Sequence, residues 1–363
     1  MENISNNKNE EEISEIDNKK EENFQKFNLE NDSGESHLEF IEKSIQQEIV
    51  KDKNFTQKIF LKILKSEGKE KVLEIISKRL EEKKILFLRH AEAEHNEYNR
   101  LYKSKGVPKP NLFDPKLTEL GLTQCEEIKN MLKNLDFKIE VVFTSPLRRT
   151  LETTHHIKEG IFHHHKSGSK VNFIVTELLR EIVINPNSHF GHDLNSMKTK
   201  FGEMDFLNYE FINKQKWWSY DKEGNEESSL YSHNQNYDSK DIHANKNNFK
   251  PEKDSHFRTR IAMFFLWFIF RNEKNALVVS HSKVFKALYL DNTNEKVKLA
   301  KNGCYYLLDK EVIYKFINNY INQIIKKKFK NEKEEKKIQE VPSHHKIHHA
   351  HYHNPEYHVK YSD

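Results

Sequence analysis

Short apolar runs alternate with amphipathic patterns through the middle of the chain. Runs rich in β-branched residues predict four strands, at 84–90, 141–145, 171–177 and 276–281. Apolar residues spaced by three and four predict helices at 119–134, 147–158 and 255–272. This alternation predicts an α/β fold, a three-layer α/β/α sandwich in which a mostly parallel sheet is covered on both faces.

The flanking segments have different patterns. Residues 1–35 are acidic and poor in large apolar side chains, which predicts a disordered tail. Residues 36–82 carry apolar residues at helical spacing, which predicts two or three amphipathic helices. Residues 222–254 are polar and of low complexity, which predicts a mobile insertion. The main domain is therefore expected at 83–325, followed by a basic and His-rich tail at 326–363.

Composition and charge exclude several classes of protein. A formal net charge of +4 over 363 residues gives no indication of nucleic-acid binding. The two cysteines are too few for a disulfide framework, which favours a reducing compartment. No run of eighteen apolar residues is present, and the N-terminus lacks an apolar segment. We therefore predict a cytoplasmic protein with no transmembrane segment, while the oligomeric state is not indicated.

Candidate chemistry lies where the predicted strands end. Arg89 and His90 follow the first strand, His281 follows another, and Arg149 and Glu181 follow two more. Parallel strands bring such residues to one edge of the sheet, where open α/β sheets bind ligands. Each residue alone is more often a solvated or salt-bridged edge residue, and together they favour a site.

The same region resembles the histidine phosphatase superfamily, which includes the cofactor-dependent phosphoglycerate mutases. Five landmarks follow one another in the superfamily's order: Arg89-His90-Ala91 with Asn96, "LTELGLTQ" at 117–124, Ser145-Pro146-Leu147-Arg148-Arg149, Leu179-Arg180-Glu181, and His281. Ala91 departs from the glycine most common there, and Ser282 follows the second histidine. The arrangement of "DPKLTELG", "LLRE" and "WWSYD" is more similar to that of the phosphomutase-like proteins of fungi and plants than to that of the glycolytic mutases.

The resemblance implies a phosphoglycerate mutase-like fold and a phosphomonoester hydrolase of the histidine acid phosphatase type that needs no metal and no cofactor. His90 would be the nucleophile and would form a phosphohistidine. Glu181 would protonate the leaving group, and His281, if protonated, would donate to the phosphoryl group. Arg89 and Arg149 would bind the phosphate, and Asn96 would bind it or orient the loop. Small residues after each histidine would let backbone amides approach the phosphate.

Several alternatives remain open at this stage. The substrate would be a phosphorylated small molecule or a phosphoprotein, and the activity that of a phosphatase or a phosphomutase. An inactive scaffold is a further alternative, which the intact set of site residues disfavours. As an alternative to a role in the site, Ser145 would be a helix N-cap, and the arginines after it would be exposed. Histidine tracts such as 163–165 would bind metals or reflect compositional bias, and the bias is favoured. The aromatic residues at 217–220 would line a pocket or, by preference, pack in the core.

Overall fold

The structure is a computed structural model, and its described residues are 37–51, 57–108, 110, 112–166, 171–184, 186–212, 217, 251–290 and 301–339. The chain divides into two compact units, residues 1–320 and 321–363. The predictions for residues 1–35, for Trp218 and Tyr220, and for the His-rich residues beyond 340 lie outside the described residues.

Within the described residues the sheet has six strands in the order β4-β3-β2-β5-β1-β6. The strands are β1 (Lys84–Arg89), β2 (Val141–Thr144), β3 (Asn172–Val175), β4 (Leu207–Asn208), β5 (Asn275–Ser280) and β6 (Tyr305–Leu307). All neighbouring pairs are parallel except β1 with β6. The predicted mostly parallel sheet is confirmed, and the four predicted strands form its centre.

The helices are α1 (His37–Lys51), α2 (Gln57–Glu67), α3 (Lys69–Glu81), α4 (Glu94–Leu101), α5 (Glu119–Lys133), α6 (Arg148–Phe162), α7 (Pro186–His189), α8 (Leu194–Lys200), α9 (Asp254–Ile269), α10 (Ser282–Leu290) and α11 (Lys310–Gln339). The three helices predicted between the strands correspond to α5, α6 and α9. No helix among the described residues has the length and apolar character required to cross a membrane.

The two faces of the sheet bury different helices because successive side chains of a strand point to opposite sides. On one face, Leu86, Val142 and Leu277 join a buried apolar cluster with Ile128 of α5 and Leu151 of α6. This face forms the first half of the predicted α/β/α sandwich.

The opposite face is covered by α9 and α10. The Phe143 ring of β2 lies 5.1 Å from the Phe264 ring and 5.6 Å from the Phe268 ring. The Phe87 ring of β1 lies 5.4 Å from the ring of Phe285 in α10. The apolar stretch 261–270 is buried throughout, so it is a core helix of the domain, and the three-layer sandwich is confirmed.

The N-terminal segment forms three helices, and α3 packs on α9. Arg79 of α3 donates from Nε to the Ile269 carbonyl at 2.9 Å and lies 5.5 Å from the Phe270 ring centre. Lys83 donates from Nζ to the Arg271 carbonyl at 2.7 Å. Burial lowers the pKa of Lys83 to about 8. The helices at 37–81 are therefore part of the compact unit that contains the sheet.

Two predicted boundaries need correction. The insertion expected at 222–254 does not extend to 254 as a surface loop, because Glu252 is buried and α9 begins at Asp254. Residues 222–250 lie outside the described residues. The tail expected from residue 326 begins inside α11, which continues to Gln339. Sequence patterning also missed β4 and β6, whose two and three residues are too short to show a period.

Candidate active site

The loop after β1 carries His90 and is held by neutral hydrogen bonds from several elements. The Ala91 amide donates to Thr153 Oγ1 of α6 at 3.1 Å. The Glu92 amide donates to Gln124 Oε1 of α5 at 2.8 Å. Asn302, before β6, donates from Nδ2 to the His90 carbonyl at 3.1 Å. Three separate elements therefore fix the backbone on either side of the histidine.

The motif "LTELGLTQ" explains how α5 reaches this loop. Thr118 is the N-cap of α5, and its hydroxyl accepts from the Gly121 amide at 3.1 Å. The Thr118 amide donates to the Glu92 carbonyl at 3.0 Å. A Cβ on Gly121 would lie 2.2 Å from that carbonyl oxygen, closer than any real side chain. Glycine is therefore required for the loop and helix to approach each other.

The imidazole of His90 is buried and neutral. Its Nδ1 lies 2.8 Å from the Ala91 carbonyl, an acceptor, so Nδ1 carries the proton. Its Nε2 accepts from Arg149 Nε at 3.3 Å. Burial, and then the positive charges of Arg149 and Arg89, hold the pKa of His90 well below its ordinary value. The lone pair of Nε2 is therefore available as a nucleophile.

Arg149 lies between the two histidines that the sequence singled out. The ring centres of His90 and His281 are 5.2 Å apart. Arg149 Nη2 is 3.4 Å from His281 Nδ1, and Nη1 donates to the Ser188 carbonyl at 2.9 Å. Burial lowers the pKa of Arg149 to about 10, which still leaves the guanidinium charged at neutral pH. The structure therefore brings together the first histidine, the second histidine and one predicted arginine.

His281 differs from the expectation of a protonated donor. Burial, followed by the charge of Arg149, holds its pKa well below the ordinary value. Nδ1 faces the Arg149 guanidinium, a donor, so the proton lies on Nε2, which is 2.9 Å from Ser145 Oγ. In this structure His281 is a neutral ring, because a cation beside Arg149 in a buried site would be unfavourable.

The alternative interpretation of Ser145 is wrong. Helix α6 begins at Arg148 with Leu147 as its N-cap, and Leu147 provides no side-chain hydrogen bond. The hydroxyl of Ser145 instead contacts His281. Arg149, which that interpretation placed at the surface, is only 1% exposed.

Glu181 is buried beside positive charges, and two opposing effects act on it. Burial raises the pKa of its carboxyl above the ordinary value, against the lowering effects of Arg149, Arg260 and Arg89. The Ile182 amide donates to its Oε1 at 3.0 Å. The effect of burial on the pKa of Glu181 is larger than the opposing effect of the arginines. A carboxyl group whose pKa is raised in this way is suited to general acid catalysis.

Asn96 and Arg89 complete the set of predicted residues. Asn96 Oδ1 accepts from the Ala93 amide at 3.2 Å and from Asn302 Nδ2 at 3.1 Å. Asn96 therefore orients the His90 loop, one of its two expected roles. Arg89 is the last residue of β1, and burial lowers the pKa of its partly exposed side chain while the charge of Glu181 raises it.

The backbone amides at His90 and Ala91 differ from the expectation that small residues after the histidines let amides approach a phosphate. The Ala91 amide is already bonded to Thr153, and the His90 amide donates to the Ser280 carbonyl at 3.0 Å. Two helices begin at this edge of the sheet instead, α6 at Arg148 and α10 at Ser282. The N-terminal ends of helices carry partial positive charge, which favours an anion here.

Three residues of the site were missed or underrated by sequence reasoning. Asn302 has no sequence signal, because it lies far along the chain in a short turn before β6. Gln124 was noted only as the last residue of a motif, and the roles of Gln124 and Thr153 appear when α5 and α6 pack beside the loop. The sequence does not single out such residues, because their roles depend on neighbours in the tertiary structure.

The remaining candidates do not join the site. Among the described residues, no group of three or more His, Cys, Asp or Glu side chains is arranged to hold a metal ion. His164 and His165 contact backbone carbonyls of Leu132 and Ile139, at 2.8 and 2.7 Å. Trp217 is fully buried and donates from Nε1 to the His192 carbonyl at 2.9 Å, in agreement with the preferred core interpretation.

Comparison with known proteins identifies the family that this region matches. Residues 85–186 match the family model described as the histidine phosphatase superfamily (branch 1). This match agrees with the predicted superfamily over that range, which contains His90, Arg149 and Glu181, while His281 lies beyond it. No curated protein matches the chain.

Three of the solved structures that the chain matches follow, each with its identity, coverage and TM-score. The α-ribazole phosphatase of Shigella flexneri is 16% identical, covering 62% of this chain and 90% of that chain at a TM-score of 0.34. A mycobacterial glucosyl-3-phosphoglycerate phosphatase is 16% identical, covering 61% and 90% at 0.34. A phosphoglycerate mutase of Bacillus anthracis is 17% identical, covering 64% and 96% at 0.35.

Proposed function

We propose that this protein is a metal-independent phosphatase that hydrolyses phosphomonoesters through a phosphohistidine at His90. The observation that carries the proposal is the state of His90, a buried neutral imidazole whose unprotonated Nε2 faces the guanidinium of Arg149 at 3.3 Å. A nucleophile needs this lone pair, and a phosphoryl group needs the adjacent positive fork.

In the first step, His90 Nε2 attacks phosphorus and the bond from phosphorus to the ester oxygen breaks. The departing alkoxide takes the proton of Glu181, which becomes a carboxylate. Arg149 and Arg89 neutralise the charge on the phosphoryl oxygens, and Asn96 holds the loop. The product is a phosphohistidine that keeps the Nδ1 proton directed at the Ala91 carbonyl.

In the second step, water attacks the phosphoryl group and gives its proton to the Glu181 carboxylate. The bond from phosphorus to Nε2 breaks, and its electron pair returns to a neutral His90. His281 and Ser145 form one wall of this site, and His281 would donate to the phosphoryl group if dianion binding raised its pKa. Phosphate then leaves, and the enzyme returns to its starting state.

The substrate is proposed to be a phosphorylated small molecule or a phosphoprotein in the cytoplasm. Transfer to a second substrate hydroxyl in place of water would make the same site a phosphomutase. The closeness to the phosphomutase-like proteins of fungi and plants stays a prediction. The proposal is independent of it, because the two steps use only this chain's own site residues.

The test is turnover of 4-nitrophenyl phosphate in the presence of a chelator, with acid-quenched trapping of a phosphoenzyme. The parent protein should hydrolyse the ester and carry an acid-labile label. His90→Ala should lose both, and His156→Ala, which changes an exposed histidine of α6, should lose neither. Turnover without a label, or turnover abolished by the chelator, would contradict the mechanism. Absence of turnover and label in the parent would favour the inactive scaffold.

A further inference from the structure

Three charged side chains form a buried cluster beside the Glu181 loop. Arg180, Glu252 and Arg260 have side-chain exposures of 1%, 0% and 2%. Charged groups are rarely removed from water to this extent unless they are paired with opposite charges. The catalytic steps proposed above use none of the three.

Glu252 lies at the centre of the cluster. Its Oε1 accepts from Arg180 Nη1 at 3.0 Å and from Arg260 Nε at 2.9 Å. Its Oε2 accepts from Arg260 Nη2 at 3.1 Å and from the Val183 amide at 3.0 Å. The Glu252 amide in turn donates to the Val183 carbonyl at 2.8 Å. This carboxylate therefore ties two arginines to the backbone after Glu181.

Arg260 of α9 holds the backbone on the other side of Glu181. Its Nη1 donates to the Leu178 carbonyl at 2.8 Å and to the Arg180 carbonyl at 2.7 Å. Its Nη2 also approaches the carbonyl of Glu181 itself at 3.2 Å. Only a guanidinium has enough donors in one plane to reach three carbonyls and a carboxylate, and the ammonium of lysine does not.

A further hydrogen bond links the same segment to the strand that carries the second histidine. Ser280, the last residue of β5, donates from Oγ to the Leu179 carbonyl at 2.8 Å. The backbone from Leu178 to Val183 is therefore held to α9 and to β5, with Glu181 between the fixed points. The Glu181 carboxyl, whose pKa is influenced by the charges of Arg149, Arg260 and Arg89, is carried by this fixed segment.

We propose that Glu252 and Arg260 are positioning residues that hold Glu181 where it can protonate the leaving group. The proposal rests on the proposed phosphatase function. Neither residue touches the substrate, since both act through the backbone at 178–183. Glu252 lies just before α9 and reaches this role only because the chain returns to the end of β3.

The experiment compares two phosphate esters that differ in their need for an acid. The ester 4-nitrophenyl phosphate has a stable leaving group, and an alkyl phosphate such as glycerol 2-phosphate needs a proton. We expect Arg260→Lys and Glu252→Gln to lower kcat/KM for the alkyl ester by about 10²-fold, since small misplacements of a reacting group have effects of that size. The aryl ester should change by less than about tenfold, because its leaving group needs little protonation.

Hydrogen exchange provides a second measurement that does not depend on activity. The amides at 178–184 should exchange faster in Arg260→Lys than in the parent. Arg258→Lys is the matched control, because it lies two residues earlier in α9 and pairs with Asp254 near the surface at 2.6 Å. It should leave both the exchange rates and the ratio of the two esters unchanged. Thermal unfolding of each variant establishes that the comparison is made between folded proteins.

The outcomes separate this inference from the proposed function. A parent protein that neither turns over nor labels, while Arg260→Lys still loosens 178–184, would defeat the phosphatase and leave the positioning contacts intact. An active parent whose folded variants lose both esters equally, or show unchanged exchange, would overturn the inference. Unfolding of both variants would also overturn it, because the cluster would then serve stability alone.

Discussion

The two loops that carry the proposed nucleophile and acid are held in opposite ways. The backbone of His90, Ala91 and Glu92 is fixed by neutral groups, Thr153, Gln124 and Asn302, while the Glu92 side chain pairs with Arg100. The Glu181 loop is fixed by a buried ionic cluster centred on Glu252 and Arg260. Both side chains nevertheless reach the same condition, because burial drives each of them toward its uncharged form.

The difference follows from what each group must avoid. A carboxylate paired with the His90 ring would favour the imidazolium and remove the lone pair needed for attack, and the one carboxylate of this loop, Glu92, pairs with Arg100 instead. Neutral hydrogen bonds fix its loop without that effect. At Glu181 the nearby arginines oppose protonation. Glu252 offsets the charge of one of them, Arg260, whose remaining N–H groups donate to the backbone. The comparison predicts that charge changes matter most near Glu181 and steric changes near His90.

Apart from the loss of the nucleophile itself, the largest effect should come from Glu181→Gln. An acid must be protonated to act, so parent activity should be present below the raised pKa of Glu181 and fall as pH rises through it. His90 must be neutral, so the acid limb should lie well below pH 6.5. The variant should lose about 10²–10⁴-fold on an alkyl ester and lack the alkaline limb in a profile of kcat/KM against pH. An unchanged alkaline limb would assign the proton to another group.

Arg149→Lys should have the next largest effect. Lysine keeps the charge and loses the fork that reaches His90, His281 and the phosphoryl oxygens, so kcat/KM should fall by about 10²–10³-fold. Arg148→Lys is the matched control, since the side chain of Arg148 is 30% exposed and pairs with Glu152. Steady-state kinetics should separate the two variants, and equal losses would show that position 149 acts only through general charge.

Gly121→Ala tests the steric side of the comparison. Its Cβ would overlap the Glu92 carbonyl, so the His90 loop or α5 must move. We expect the free energy of unfolding to fall by about 1–3 kcal/mol and kcat/KM to fall by up to about 10²-fold. Denaturant unfolding and kinetics measure the two effects. Gly202→Ala is the control, because nothing lies within 4 Å of its added Cβ, and it should change neither quantity.

Thr153→Val should have the smallest effect. The change leaves the buried Ala91 amide without its acceptor and should lower the free energy of unfolding by about 1 kcal/mol, with a change in kcat/KM below about tenfold. Thr123→Val removes a hydroxyl on the exposed face of α5 and should have less effect on unfolding. A loss in Thr153→Val as large as in Gly121→Ala would show that this one hydrogen bond dominates the loop.

Much of the fold was predictable because its central elements are long and periodic. The runs that form β1, β2, β3 and β5 end within two residues of the observed strands, and α5, α6 and α9 match predicted helices. The short strands β4 and β6 were not predicted, because two or three residues show no period. Helix α10, at Ser282–Leu290, was also not predicted.

The sequence by itself determined which residue types end the parallel strands, and therefore that His90, Arg149, Glu181 and His281 lie at one edge of the sheet. Only the tertiary structure decided their protonation, because pKa values depend on burial and on charges brought from distant segments. It also decided the roles of Glu252, Arg260 and Asn302, whose backbone partners Val183, Leu178 and His90 lie 69, 82 and 212 residues away along the chain. Local patterns record which face of an element is apolar, and they carry no record of contacts made when the chain returns.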